Sequence, residues 1–323
     1  MSWLHIIQAA LREWHHKLRS GCRSVQVVAP TGSGKTRIGQ CYARIALAFC
    51  DRSAPVSILW IVPNREIQVQ TWMEILRDGI LTPSQVIVLT FQCRLMPRAQ
   101  VLVIDESHHA AAGTYWTIRA QTQPEVVIGL TATPWRNDRR FLAFESTMEI
   151  ARYQDLVALG RLAPYCLVKT DLGSELKAAA LYLCNPNAWG QTIIFRPSVI
   201  DAMEVCRILV NAGVAAALVV GGSPRERALQ RFEAGRIRVL ISVLVLTEGF
   251  NCPSIQTVFL RPANDRTLIQ MIGRAVRAKP NKTAWVVGSL PPKSRVWNAM
   301  PPQHTLDLGD KMNPTGTIFP RIA

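Results

Sequence analysis

No apolar run in this 323-residue chain reaches the roughly 18 residues that a membrane-spanning helix needs, so no helical span is expected. The eight cysteines, at 22, 41, 50, 93, 166, 184, 206 and 252, contain no CxxC spacing. That argues against a zinc site or a disulfide framework and for free thiols in a reducing compartment. The expected location is the cytoplasm, or a host cytoplasm if a phage encodes the chain. A cleaved leader is not expected either: Arg12, Glu13, His15, His16 and Lys17 interrupt the first apolar stretch, and the cationic part follows it. Trp3, Ile7, Ala10, Trp14 and Leu18 recur at helical spacing and predict an amphipathic helix. Acidic residues are scarce as well. Asp and Glu number 22 against 37 Lys and Arg, a formal net charge of +15. Residues 1–150 hold 16 basic against 11 acidic residues, and residues 151–323 hold 21 against 11. A polyanionic partner fits that excess, because phosphate neutralisation supplies most nucleic-acid affinity. An arginine-rich proteome would produce it too.

About half of the residues are apolar, enough for a core in each of two domains. From residue 24 to 135, apolar runs alternate with helical patterns. SVQVVAP, VSILWIV, QVIVLT, VLVIDE and VVIGLTA read as buried strands, with helices over KTRIGQCYARIALAFC and REIQVQTWMEILRDG. The rhythm resumes at 192 with strands TIIF, VAAALVV, RVLISV, TVFLRP and TAWVVGS and helices SVIDAMEVCRILVNAG, PRERALQRFEAG and RTLIQMIGRAVR. Strands apolar on both faces and joined by helices predict a mainly parallel sheet in each half, an α/β fold. Residues 141–191 contribute only a short helix, YQDLVALG, and a turn-rich CNPNAWG. The boundaries expected are 1–158 and 159–290, with an irregular tail over 291–323.

Two segments carry chemistry. APTGSGKT (29–36) follows a strand and opens a helix, the setting of a phosphate-binding loop. Backbone N–H groups of Pro30–Thr36 (Pro30 itself has none), with Thr31, Gly32, Ser33 and Gly34 between, would cradle phosphates at a helix N-terminus. Lys35 would neutralise the terminal phosphate oxygens and Thr36 would ligate Mg²⁺. Ala29 stands where the usual loop has its first glycine. DESHH (105–109) ends an apolar strand with two adjacent carboxylates. Asp105 would hold Mg²⁺, and Glu106 would orient and deprotonate an attacking water. Paired carboxylates at a buried strand end call for a cation. Adjacent histidines on a loop rarely share one ion, so His108 and His109 read as hydrogen-bonding groups.

DESH, followed by TATP (131–134), TEGFNCP (247–253) and QMIGRAVR (270–277), resembles the motif series of superfamily 2 helicases and translocases, in particular the DExH-type DNA motors. The resemblance spans residues 24–280. It implies two tandem RecA-like domains, with an ATP-binding domain first and a helicase C-terminal domain second. It implies ATP and Mg²⁺ as cofactors, and nucleic acid as partner, with DNA preferred as a single strand or strand junction. Carried over residue by residue, it makes Arg274 and Arg277 arginine fingers, one helical turn apart, with Gln270 before them. It makes Thr131 and Thr133 coupling residues and places Gly249 at the nucleotide. Nucleic-acid contacts would come from Pro63, Asn64, Arg65 and Thr90 in the first domain and from Phe195, Gly222, Arg227 and Thr247 in the second. Trp135 and Arg136 could stack on a base. The chain departs from the pattern at Asn251, where an acidic residue is usual, and lacks the adenine-recognition surroundings that would support Gln8. The resemblance leaves open an RNA helicase, a nucleic-acid-stimulated ATPase clamp that does not unwind, and, outside nucleic-acid work, a phosphate-loop kinase. A monomer is plausible.

Overall fold

The structure is a computed structural model that describes residues 2–51, 56–109, 112–134, 144–221, 225–243, 246 and 250–307. The chain forms two compact units, Met1–Leu159 and Gly160–Ala323. In the first, elements run α1 (Trp3–Arg19), β1 (Ser24–Val28), α2 (Lys35–Leu47), β2 (Val56–Val62), α3 (Arg65–Asp78), β3 (Val86–Thr90), β4 (Ala99–Ile104), α4 (Ala112–Thr122), β5 (Val126–Thr131), β6 (Ser146–Glu149) and α5 (Tyr153–Ala158). The sheet order is β3-β2-β4-β5-β1-β6, and each of these pairings is parallel. β1, β4 and β5 are buried almost along their whole length because both faces are covered. α1 is the expected amphipathic helix. Trp14 and Leu18 are buried, and the Trp14 indole N–H donates to the Tyr42 carbonyl at 3.1 Å, fixing α1 against α2. Ser2 caps its start by accepting from His5 N–H.

The order of the first sheet positions the chemistry. β4, β5 and β1 are neighbours with one direction, so the segments leaving their C-terminal ends emerge side by side. Those segments are DESHH, TATP and the glycine loop. Open α/β sheets bind ligands at this edge.

The second unit runs β7 (Tyr165–Lys169), α6 (Glu175–Cys184), β8 (Gln191–Phe195), α7 (Val199–Asn211), β9 (Ala216–Val219), α8 (Glu226–Glu233), β10 (Val239–Ser242), β11 (Ile255–Phe259), α9 (Asp265–Ala275), β12 (Ala284–Val287), α10 (Val296–Ala299) and β13 (His304–Asp307). Its sheet order is β13-β7-β12-β11-β8-β10-β9, again with each pairing parallel. Trp189, Tyr182 and Phe259 form an aromatic core beneath it.

Three expectations need correction. The 141–191 interval holds β6, β7 and α6 besides the short helix. Residues 296–307 are not an irregular tail: β13 pairs with β7, Gln303 N–H donates to Tyr165 O at 2.8 Å, and the Tyr165 hydroxyl donates to Met300 O at 2.6 Å. Residues 308–323 lie outside those described. Third, α9 ends at Ala275, so Arg277 is not on the helix. Pro280 disfavours helical backbone just before it, and Arg277 forms an antiparallel bridge with Leu162 instead.

Helix α2 approaches the sheet closely at Gly39. A Cβ there would lie 2.7 Å from Leu130 Cδ1 and 2.9 Å from Trp60 Cη2, both residues fully buried. Gly39→Ala should therefore destabilise the first unit by about 1–3 kcal/mol despite alanine's better helix propensity. Denaturant unfolding measures this, and a stabilised variant would contradict the packing.

Candidate nucleotide-hydrolysis site

The loop after β1 begins with Ala29 N–H donating to Thr131 O at 3.0 Å, which ties it to the end of β5. Ser33 N–H closes a turn on Pro30 O at 3.1 Å. Gly32 and Gly34 take φ of 91° and 86°, a left-handed backbone that favours glycine. Gly34 caps α2 without a side-chain hydrogen bond, so the first N–H groups of the helix face outward. A Cβ at Gly34 would meet nothing within 4 Å, so that face of the loop is open. Thr31 and Ser33 are buried, and Ser33 Oγ has no hydrogen-bond partner among the described residues.

The Lys35 ammonium lies 3.7 Å from Glu106 Oε1. Asp105 is buried at the end of β4. Its N–H donates to Ile61 O at 2.8 Å, and its Oδ1 accepts from Glu106 N–H at 2.9 Å. Glu106 sits at φ 44°, left-handed backbone that costs a non-glycine residue roughly 1–2 kcal/mol. The His108 ring closes the group: Nδ1 is 2.9 Å from Thr131 Oγ1 and 3.4 Å from Glu106 Oε2. Thr131 gives its own hydroxyl proton to Thr133 O at 2.9 Å and accepts from Thr133 N–H at 3.0 Å. Its oxygen therefore accepts from His108, which puts the ring proton on Nδ1. One continuous line thus runs from the glycine loop through Lys35, Glu106 and His108 to the TATP turn. His108 was read from sequence only as a hydrogen-bonding residue. Its link to Thr131 depends on strand order, which the sequence does not display.

Burial pushes the Asp105 carboxyl up to about 7; the Glu106 carboxylate adds to the rise, and Lys35 opposes it. A buried acid pair with one lysine is short of positive charge. An open glycine cradle, an unpartnered serine hydroxyl and such a pair fit a phosphate-bound divalent cation, which Thr36 and Asp105 would hold. Among the described residues no cluster of three or more His, Cys, Asp or Glu side chains forms a metal site of its own.

Other candidates fare unevenly. In the second unit Gln270 and Arg274 are buried on α9, and an Arg274 N–H donates to Phe250 O. Arg277 is half-buried. Asn64 caps α3, its side chain accepting from Ile67 N–H at 3.0 Å, with Pro63 before it and Arg65 exposed after it. Thr90 is half-buried at the end of edge strand β3. Phe195 is fully buried in the second unit, so its ring supports the fold and is not presented at the surface as a nucleic-acid contact would be. Arg227 is exposed on α8 and lines a depression of about 630 Å³ with Gln230, Arg231 and Arg236. Asn251 is exposed. Gly222, Thr247, Gly249, Trp135 and Arg136 lie outside the described residues, as does the His109 side chain.

The Asp105 shift has a sign that can be tested. Its folded pKa, about 7, lies above the ordinary value of 3.8. Its contribution to stability is present below 3.8 and is lost as pH rises through about 7. Asp105→Asn keeps an acceptor for Glu106 N–H and never ionises. Without nucleotide or divalent cation it should unfold at or above the wild-type temperature at pH 8. The gain is bounded by about 4 kcal/mol and closes near pH 4. A variant less stable than wild type at pH 8 would contradict the charge argument.

Comparison with known proteins agrees with these motifs. The family described as "Helicase conserved C-terminal domain" matches residues 175–279, and "Type III restriction enzyme, res subunit" matches residues 90–136. A 51.5 kDa protein of a Lactococcus phage is 25% identical over 82% of this chain and 65% of its own length. IRC3 of Saccharomyces cerevisiae, a protein assigned as an ATP-dependent helicase, is 24% identical over 85% of this chain and 49% of its own. An ATP-dependent rRNA helicase of Neurospora crassa, rrp-3, is 31% identical over 30% of this chain and 20% of its own. The chain thus spans less than two thirds of the length of these curated relatives. Among solved structures, S. cerevisiae Dbp5 bound to RNA and ADP BeF3 matches with a TM-score of 0.63 at 16% identity, over 89% of this chain and 86% of that one. That likeness establishes tandem RecA-like domains as the fold. The two family matches and the ordered motifs on both units support a superfamily 2 helicase.

Proposed function

We propose that the chain is an ATP-dependent nucleic-acid motor that couples hydrolysis to movement on DNA or to its unwinding. The observation that carries this reading is the Lys35–Glu106–His108–Thr131 line. A simple phosphate-binding enzyme has no need to wire its catalytic carboxylate to a buried threonine turn.

When bound, ATP with Mg²⁺ supplies the phosphoryl group and offsets the acid pair. In this reading the backbone of residues 30–36 holds the phosphates, and Lys35 draws charge from the terminal one. Glu106, held toward Lys35 by its left-handed backbone, orients a water and takes its proton. Thr36 and Asp105 are the metal ligands. Arg274 and Arg277, from the second unit, stabilise charge on the transferred group, with Gln270 beside them. Such catalysis is mainly positioning and charge stabilisation. His108 reports the state of Glu106 to Thr131 and Thr133, the route by which hydrolysis would reach the motion. Gly249 would face the nucleotide. Pro63, Asn64, Arg65, Thr90, Gly222, Arg227 and Thr247 would follow a phosphate backbone without reading sequence. The charge excess of the second half supports that role.

RNA as the substrate is a second reading, favoured by the identity shared with the rRNA helicase over part of the chain. ATPase rates with single-stranded DNA, RNA and duplex at two salt concentrations separate the two. Strand displacement on a tailed duplex separates an unwinding motor from a clamp. No helix among the described residues is long and apolar enough to cross a membrane, and we propose a cytoplasmic location.

Lys35→Ala and Glu106→Gln should each abolish turnover, by at least about 10²-fold. Normal ATPase in Glu106→Gln would sink the carboxylate assignment. Arg277→Ala should lose hydrolysis while keeping most nucleic-acid affinity. If it hydrolyses normally and only binds nucleic acid more weakly, Arg277 is a binding residue.

A further inference from the structure

Between α9 and β12 the chain passes Arg277 and makes a tight turn. Lys282 N–H donates to Lys279 O at 3.3 Å, and Asn281 takes φ 54°, a left-handed residue that reverses the backbone. The reversal folds the Lys282 side chain back over the segment just left. Its ammonium donates to Arg277 O at 3.1 Å and to Pro253 O at 3.0 Å. Pro253 ends TEGFNCP and Arg277 belongs to QMIGRAVR, so one cation joins the backbones of two motifs. The segment is pinned from its other side as well. Leu162 bridges Arg277, and Ala163 N–H donates to Val276 O at 2.8 Å.

We propose that Lys282 is a positioning residue for hydrolysis: it clamps the Arg277 segment to the Pro253 loop and so sets where the Arg277 guanidinium is presented. This rests on the reading of Arg277 given above. A role in folding alone explains the clamp poorly. Burial, with Lys279 and Arg277 nearby, pushes the Lys282 amine down to about 8, and only Cys252 opposes that. A lysine whose folded pKa falls below 10.5 is held charged at the expense of stability at neutral pH. Removing a half-buried charge that faces carbonyls and other cations should not weaken the fold.

The test compares Lys282→Met, which keeps the apolar stem, with Lys282→Arg, Arg277→Ala and the Arg277→Ala/Lys282→Met double variant of the full chain. Lys282→Met should lower kcat for nucleic-acid-stimulated ATP hydrolysis about 10-fold, leave KM and nucleic-acid affinity within about twofold, and leave the unfolding temperature equal or higher. Lys282→Arg should recover most of the rate. In the Arg277→Ala background, Lys282→Met should add no further loss, because it acts through that residue. The wild-type rate should also fall as pH rises through about 8, where the amine loses its proton, and Lys282→Arg should lack that limb. Wild-type kcat in Lys282→Met overturns the clamp, as does an equal loss in the Arg277→Ala background or a loss matched by a lower unfolding temperature. If Arg277→Ala itself hydrolyses at the wild-type rate, the reading of Arg277 falls and the positioning role falls with it.

Discussion

Two carboxylates placed side by side at the end of a fully buried strand are the constraint around which the first unit is organised. Asp105 cannot reach bulk water, and Glu106 is next to it. At an effective dielectric constant near 20, one opposite charge about 4 Å away returns roughly 4 kcal/mol. Lys35 supplies that charge to Glu106, and it can do so because β1 and β4 flank β5 in the sheet. Glu106 itself sits at a left-handed φ of 44°, with its carboxylate on the lysine. His108 then lies against the remaining side of Glu106, Nδ1 3.4 Å from Oε2, and links the pair to Thr131. Strand order, backbone strain and a buried histidine thus converge on one unfavourable charge pair, the kind of perturbed group that clusters at functional sites.

The second unit solves the opposite problem. Arg274, Arg277 and Lys282 gather around the segment that links the Phe250–Pro253 loop to the end of α9. Two of them are held by backbone carbonyls: Arg274 by Phe250 O, and Lys282 by Pro253 O and Arg277 O. The first unit therefore has acid in excess of its own cations at its site, and the second has cations in excess of acid. Phosphoryl transfer needs both. Under the proposed function, the acid pair would handle metal and water, and the arginines would meet charge that grows on the transferred group.

Much of this was legible in the amino-acid order. VLVIDE and SVQVVAP are short, mostly apolar runs that announce buried parallel strands, and GSGKT can be placed because such a strand precedes it and a helical pattern follows. Legibility fails where tertiary pairing decides. STME over 146–149 has no strand signature of its own and becomes a strand because β1 offers it an edge. The segment ending in β13 reads as a proline-rich tail until Tyr165 and β7 receive it. Arg277 follows the helical period of QMIGRAVR and yet falls off the helix, because Leu162 captures its backbone. Phe195 matches a motif position, but sits in a strand whose ring side is closed. Lys282 has no motif at all; only the turn at Asn281 brings its ammonium to two carbonyls.

Asn251 can be understood in the same terms. A carboxylate in this loop would cancel positive charge near α9. With a neutral, exposed amide there, orientation of the cations falls to the carbonyls of Phe250 and Pro253 on either side of it. A carbonyl dipole accepts a hydrogen bond and fixes direction, but leaves the full unit charge on the guanidinium or ammonium. A carboxylate would fix direction equally well and neutralise that charge. If these groups meet negative charge on a phosphoryl group, as proposed, the neutral acceptor is the better support. The amine of Lys282 is easier to deprotonate than an ordinary lysine because burial, with Lys279 and Arg277 nearby, outweighs the opposing influence of Cys252.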